Sequence, residues 1–130
     1  MKFNIYRFAL GFVFLVFGIW QIIQPSYWIS YLPLWTKNFN QEVLMRINGF
    51  FDLFVGLGLI LGFYPLIFSA LAILHLIGVI FTLGIFNDIA IRDTGLLILA
   101  IGIFLEEFRK SDKIELLIKE FLKKIFKIYI

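Results

Sequence analysis

The chain has no cysteine and only one histidine. The first absence excludes disulfides, thiolate metal sites, iron–sulfur ligation and thiol catalysis. The second leaves no histidine-rich metal cluster to build. Charge is scarce as well: 16% of the 130 residues are Asp, Glu, Lys or Arg, against about 25% in a typical soluble domain. No Ser-His-Asp set, phosphate-binding loop or metal motif is present, so a soluble enzyme is excluded. What remains is apolar. Hydrophobic residues make up 62% of the chain and aromatic residues 19%, and the mean hydropathy is +0.96. A chain this short has too much surface for its volume to hide that much apolar side chain from water. The composition defines a polytopic membrane protein, and it excludes a disordered chain.

Crossing a bilayer takes about 20 apolar residues as a helix. Four segments qualify, at 3–23, 43–62, 65–86 and 88–108. They are continuous runs of roughly twice the length of a barrel strand, so they are expected to be helices. The expectation is an all-α fold, an antiparallel bundle of four transmembrane helices. Lys2 and Arg7 precede the first run, but no small-residue cleavage site follows, so this run reads as an uncleaved span. Gly62-Phe63-Tyr64-Pro65 is a tight turn between the second and third spans. Asn87 or Asp88 is placed to cap the fourth. The longer connection between the first two spans carries Tyr27, Trp28, Tyr31 and Trp35, with Pro25 and Pro33, and reads as an interfacial segment at the headgroup layer.

Four spans place both termini on one side. Nine basic residues fall there (Lys2, Arg7 and seven beyond Phe108), and Lys37, Arg46 and Arg92 fall on the other. The positive-inside rule then puts both termini in the cytoplasm of a multi-pass inner-membrane protein. Segment 109–130 is different in kind. Asp112 and Glu115 have capping-box spacing. Ile114, Leu117, Ile118, Phe121, Leu122, Ile125 and Tyr129 form an apolar stripe, with Lys119, Lys123, Lys124 and Lys127 mostly opposite. Glu115–Lys119 and Glu120–Lys124 are favourable i,i+4 pairs. The expectation is a separate amphipathic helix lying in the plane of the lipid bilayer, with docking of a partner helix as the functional alternative. Its lysines face a membrane, so nucleic-acid binding is not expected.

Glycines recur seven residues apart in three spans: Gly11 and Gly18, Gly49 and Gly56, Gly95 and Gly102, with Gly78 and Thr82 giving the remaining span a small face. These faces are expected to turn inward, because small residues let helices approach closely in lipid. Near them lie the polar residues. Asp52 and His75 each fall about half-way down their spans, and a mid-membrane pair between them is expected. Arg46, Asn48, Gln21, Asp88, Arg92 and Asp93 come from the opposite helix ends to Arg7 and Glu106. Asp52, His75, Asn48, Arg92, Asp93 and Arg46 are the candidate ligand-binding residues. Arg7 with Glu106 is a candidate structural pair at the inner face, Arg46 has a local partner available in Glu42, and Arg92 is long enough to reach the headgroups.

Arg7-x-x-Leu10-Gly11 with Gly18, Pro25, Gly49-x-x-Asp52-x-x-x-Gly56 and Arg92-Asp93-x-Gly95-Leu96-Leu97 resemble, in order and spacing, the DoxX-like family of small four-helix membrane proteins. The resemblance covers roughly residues 5 to 105. It implies a bacterial or archaeal inner-membrane protein and links the chain to a family named for a membrane subunit associated with thiosulfate:quinone oxidoreductase. It also implies that Arg7, Asp52, Arg92 and Asp93 belong to a shared polar interior. Three functions are compatible with these residues. The first is a membrane subunit of a quinone-linked redox complex, with quinone as the only cofactor suggested and with either a partner protein holding the electron centre or the quinone alone serving. The second is a non-catalytic scaffold for a membrane partner. The third is a small proton-coupled transporter using Asp52.

Overall fold

The computed structural model describes residues 3–129, without the side chains of Ile114, Ile128 and Tyr129. Lys2 and Ile130, and the Ile114 and Tyr129 side chains expected in the tail stripe, therefore lie outside the described residues. The described chain is helical, with no strand among the described residues. Helix α1 spans Ile5–Ile23, the short α2 spans Pro25–Trp28, α3 spans Gln41–Leu61, α4 spans Pro65–Leu83 and α5 spans Asp88–Tyr129. Two 3₁₀ turns, Ile29–Tyr31 and Leu34–Asn38, join α2 to α3.

Local chemistry sets the helix ends. The Asn4 side chain accepts from the N–H groups of Tyr6 and Arg7 to start α1, and Asn40 Oδ1 accepts from Val43 N–H to start α3. α3 ends at Gly62, whose φ of +76° is the left-handed conformation that glycine adopts without strain. The N–H groups of Gly62 and Phe63 both return to the Gly58 carbonyl, and Pro65 then opens α4. This is the tight turn expected from Gly62 to Pro65. α4 stops at Gly84, with φ +84°, short of the expected end at residue 86. Asn87 Oδ1 and Asp88 Oδ1 both accept from Ile89 N–H at 2.9 Å and start α5.

Helices α1, α3 and α4 are each long and apolar enough to cross a membrane, which makes this a membrane protein. Their outward faces carry Phe12 and Val16, Phe50 and Phe54, and Leu74 and Phe81, all exposed. Such an apolar perimeter suits hydrocarbon as solvent, where exposing these rings costs nothing. α5 differs: Asp88, Arg92 and Asp93 at one end and Glu106 and Glu107 at the other confine its uncharged stretch to Thr94 through Leu105. α5 also corrects the boundary expected at residue 108. It runs unbroken for 42 residues, so the tail continues it and is not a separate helix. No glycine or proline lies between Ile103 and Tyr129, and the Lys, Glu, Leu and Ile there are good helix formers or tolerated in helices. Asp112 therefore sits inside a helix instead of capping one.

The helices associate mainly as two pairs, α1 with α3 and α4 with α5. In the first pair the backbones touch. A Cβ on Gly18 would stand 2.7 Å from the Gly49 carbonyl oxygen and 2.6 Å from Leu53 N, and one on Gly11 would stand 2.8 Å from the Gly56 carbonyl oxygen. Gly11 meets Gly56 and Gly18 meets Gly49, so the two helices run against each other and the expected glycine seam is present here. It is absent from the second pair: Gly78, Gly95 and Gly102 have open space where a Cβ would go. The reason is helical phase. The buried residues of α5 include Ala90, Asp93, Ala100 and Ile103. Gly95 lies two residues from Asp93 and Gly102 two from Ala100, each about 200° round the helix and so on the far side. The core consists of Leu10, Phe14, Val55, Leu59, Phe68, Ala72, Leu76, Ala100 and Ile103, drawn from all four long helices.

Candidate functional site

Between the two helix pairs lies a cavity of about 410 Å3. α1 lends it Phe14, Phe17 and Gln21, and α3 lends Asn48 and Asp52. α4 lends His75 and Thr82, α5 lends Arg92 and Asp93, and Trp28 and Tyr31 reach it from the segment between α1 and α3.

Asn48 and Asp52 are four residues apart on α3, about 40° round the helix, so both face the cavity. His75 lies across from Asp52, as the sequence leads one to expect, with Nε2 2.9 Å from Asp52 Oδ1. The separation is that of an ion pair. Oδ1 nevertheless has no aligned hydrogen-bond donor, so the imidazole approaches off the line of its N–H. Both side chains are largely covered, at 7% exposure for Asp52 and 18% for His75. The His75 ring also packs against Phe51, with centroids 5.0 Å apart, and against Phe14 at 6.0 Å.

A second cation–carboxylate pair comes from α5. Arg92 donates from Nε at 3.1 Å and from Nη2 at 2.9 Å to Asp93 Oδ1. Asp93 is buried, while the Arg92 side chain is 41% exposed. The guanidinium carbon stands 4.3 Å from the centre of the Phe17 ring, a cation–π contact from α5 to α1. Charge-assisted bonds on one side and an aromatic face on the other leave the guanidinium little freedom to turn. Asp93 lines the same cavity as Asp52 and His75. Nearby, Asn48 Nδ2 donates to Gln21 Oε1 at 2.8 Å and bridges α1 and α3 beside their glycine contact.

Five of the six candidate ligand residues, Asp52, His75, Asn48, Arg92 and Asp93, thus share one cavity. Arg46 does not. It is exposed, because it stands six residues from Asp52, about 120° away from the cavity-facing side of α3. Glu106 also departs from expectation. It shares the open side of α5 with Gly102, four residues earlier, is 51% exposed, and lies 3.8 Å from Lys110 Nζ. The acid on the inward side is Glu107, four residues after buried Ile103 and only 13% exposed. Arg7 is buried on α1. Sequence reasoning missed Phe17 and Trp28. Phe17 falls four residues before Gln21 on the inward side of α1, a periodic signal that was available. Trp28 lies on α2, where no periodicity exists. Instead of lying flat among headgroups it is buried, edge-on to Phe17 and Trp20 at 5.3 and 4.9 Å, while Tyr27 and Trp35 stay exposed. Among the described residues, no group of three or more His, Asp or Glu side chains is placed to hold a metal ion.

No family model, no curated protein and no solved structure matches the chain.

Proposed function

We propose that this chain is a four-span membrane protein of the DoxX-like kind that holds a quinone ring between its two helix pairs, as the membrane subunit of a redox complex. The supporting observation is the pairing of two N–H donors with two buried carboxylates on one mostly apolar cavity: His75 beside Asp52 and Arg92 on Asp93. A quinone is a flat apolar ring with two carbonyl acceptors. Phe14, Phe17 and Trp28 supply surface for the ring, and His75 and Arg92 supply one donor for each carbonyl. With no cysteine and one histidine, the chain takes its electron centre from a partner. In this reading α5 is the fourth span up to about residue 108, its Arg92, Asp93 and Glu107 turned to the cavity and to the bundle end. Both termini are cytoplasmic, in the inner membrane.

Native mass spectrometry of the protein released from its own membranes tests the proposal. A retained quinone that is lost from both Asp52→Asn and His75→Ala supports it. An empty cavity, or a quinone that both variants retain, overturns it. A scaffold is the second reading, favoured by the way Asp52–His75 ties α3 to α4 and Asn48–Gln21 ties α1 to α3. It predicts that Asp52→Asn lowers thermal stability in detergent and changes no ligand signal.

A further inference from the structure

The cavity between the helix pairs meets the bilayer along two seams, α1 with α5 and α3 with α4. Side chains shut the first: the Arg92 guanidinium carbon stands 4.3 Å from the centre of the Phe17 ring. Trp28, Tyr31 and Pro33, from the segment between α1 and α3, line the cavity at the end away from the Gly62 turn. The second seam changes along its length. Nearest the turn, Gly58 lies against the Phe68 ring, and the Phe54 and Phe68 rings are 5.1 Å apart. Further along, His75 stands beside Asp52 and 5.0 Å from the Phe51 ring. About one turn beyond His75 comes Gly78, where a Cβ would meet nothing within 4 Å. The seam is filled as far as His75 and open at Gly78.

Helical phase puts Gly78 on the lip of that opening. Leu74 and Phe81, 68% and 85% exposed, mark the lipid side of α4, and His75 marks its cavity side. Gly78 falls between them, about 40° from Leu74 and about 60° from both Phe81 and His75. Leu74 lines the cavity despite its exposure, so the cavity reaches the lipid-facing surface half-way along α4. The Thr82 hydroxyl, next along the lip, donates to the Gly78 carbonyl at 2.8 Å, so the helix itself satisfies it. Close helix packing does not account for Gly78, because no neighbouring backbone approaches it, and a helix interior disfavours glycine.

We propose that the α3–α4 seam at Gly78 is a lateral portal, and that the ligand is a lipid quinone whose isoprenoid chain crosses Gly78 into the hydrocarbon. The inference rests on the quinone reading above and adds the path of entry and the residue that admits the tail. Size requires an exit. A cavity of about 410 Å3 lies near the lower end of the roughly 300–1,000 Å3 of ligand pockets. It has room for a substituted ring and none for a chain of several isoprene units. Chemistry sets the direction. The chain is apolar, so its favourable surroundings are acyl tails and not water. The lip between Leu74 and His75 is the one place on α4 where a missing side chain leaves that path clear. A large side chain at position 78 would stand between the ring and the bilayer.

The test separates head from tail. The full chain in detergent is titrated with menaquinone, and with menadione, which has the same naphthoquinone head and no isoprenoid chain. Menadione adds to thiols, but this chain has no cysteine, so its binding is non-covalent. Binding is read as quenching of tryptophan fluorescence, because Trp28 lines the cavity. Each ligand is compared between the wild-type protein and Gly78→Leu, so partition into micelles cancels. Gly78→Leu should raise the Kd for menaquinone about tenfold or more and that for menadione about twofold at most. Gly78→Ala, with a smaller obstacle, should weaken menaquinone less than Gly78→Leu does. Equal shifts for the two ligands, or no shift for either, would overturn the portal and leave the quinone reading standing. A wild-type protein that binds neither ligand would overturn that reading, and the portal with it.

Discussion

The two helix pairs use the same sequence spacing to opposite effect. α1 and α3 carry glycines seven residues apart, and so does α5. In the first pair the glycines oppose one another, and carbonyl oxygens sit where side chains would be. In the second pair Gly95 and Gly102 look outward into open space, and Ala72, Leu76, Ala100 and Ile103 do the packing. Spacing says only that two residues share a side of a helix. Which side depends on phase against another buried residue: Asp52 is about 60° from Gly49, whereas Asp93 is about 160° from Gly95 when counted the short way round. The α1–α3 pair is therefore closed at the backbone, and α4–α5 meets it less intimately, leaving the cavity between.

Substitutions can break this comparison, and the largest effect is expected at Gly18. Gly18→Val would drive a branched side chain into the Gly49 carbonyl and the Leu53 backbone, neither of which can move aside. The expected loss is about 3 kcal/mol or more, seen as a fall in thermal midpoint in detergent. Gly58→Ala should cost about 1–3 kcal/mol by the same assay, because its Cβ would meet the Phe68 ring, which can shift only by disturbing the core. Asp52→Asn should cost about 0.6–2 kcal/mol, the range of a polar contact between helices in lipid. Phe17→Leu removes the face under Arg92 and should cost about 0.5–2 kcal/mol, with the guanidinium becoming more accessible to water-borne probes. Smallest of all, Gly95→Ala should be neutral or stabilising by less than about 1 kcal/mol, because the methyl group meets nothing and helix propensity improves. A loss at Gly95 comparable with that at Gly18 would mean the phase argument is wrong.

Much of this was legible in the sequence because a membrane span is a strong signal and its polar residues are few. The apolar runs at α1, α3 and α4, the turn at Gly62 and the Asp52–His75 approach all follow from hydropathy, turn chemistry and depth. Failures arose where one dimension was read without another. The α5 glycines were placed by spacing without phase, which also pointed to Glu106 where Glu107 is the inward acid. Arg46 was grouped by depth along the helix, although its azimuth takes it away from the cavity. The helix boundary at residue 108 was inferred from a change of character, but capping residues are permissive and do not by themselves stop a helix of good formers. Trp28 had no periodic context; its burial depends on α2 folding back over the end of α1, a tertiary event that no local pattern records.

The central claim is that the carboxylate of α3 and the single imidazole of α4 meet inside the protein instead of facing the acyl chains. Because the chain has one histidine, 15N labelling of histidine with 13C labelling of aspartate isolates this contact in lipid bilayers. Solid-state NMR should show direct dipolar transfer from His75 Nε2 to an aspartate carboxyl carbon, as a 2.9 Å Nε2–Oδ1 separation requires, and Asp52→Asn should abolish that aspartate signal. Absence of the transfer in the wild-type protein, with an imidazole resonance unmoved by Asp52→Asn, would contradict the account.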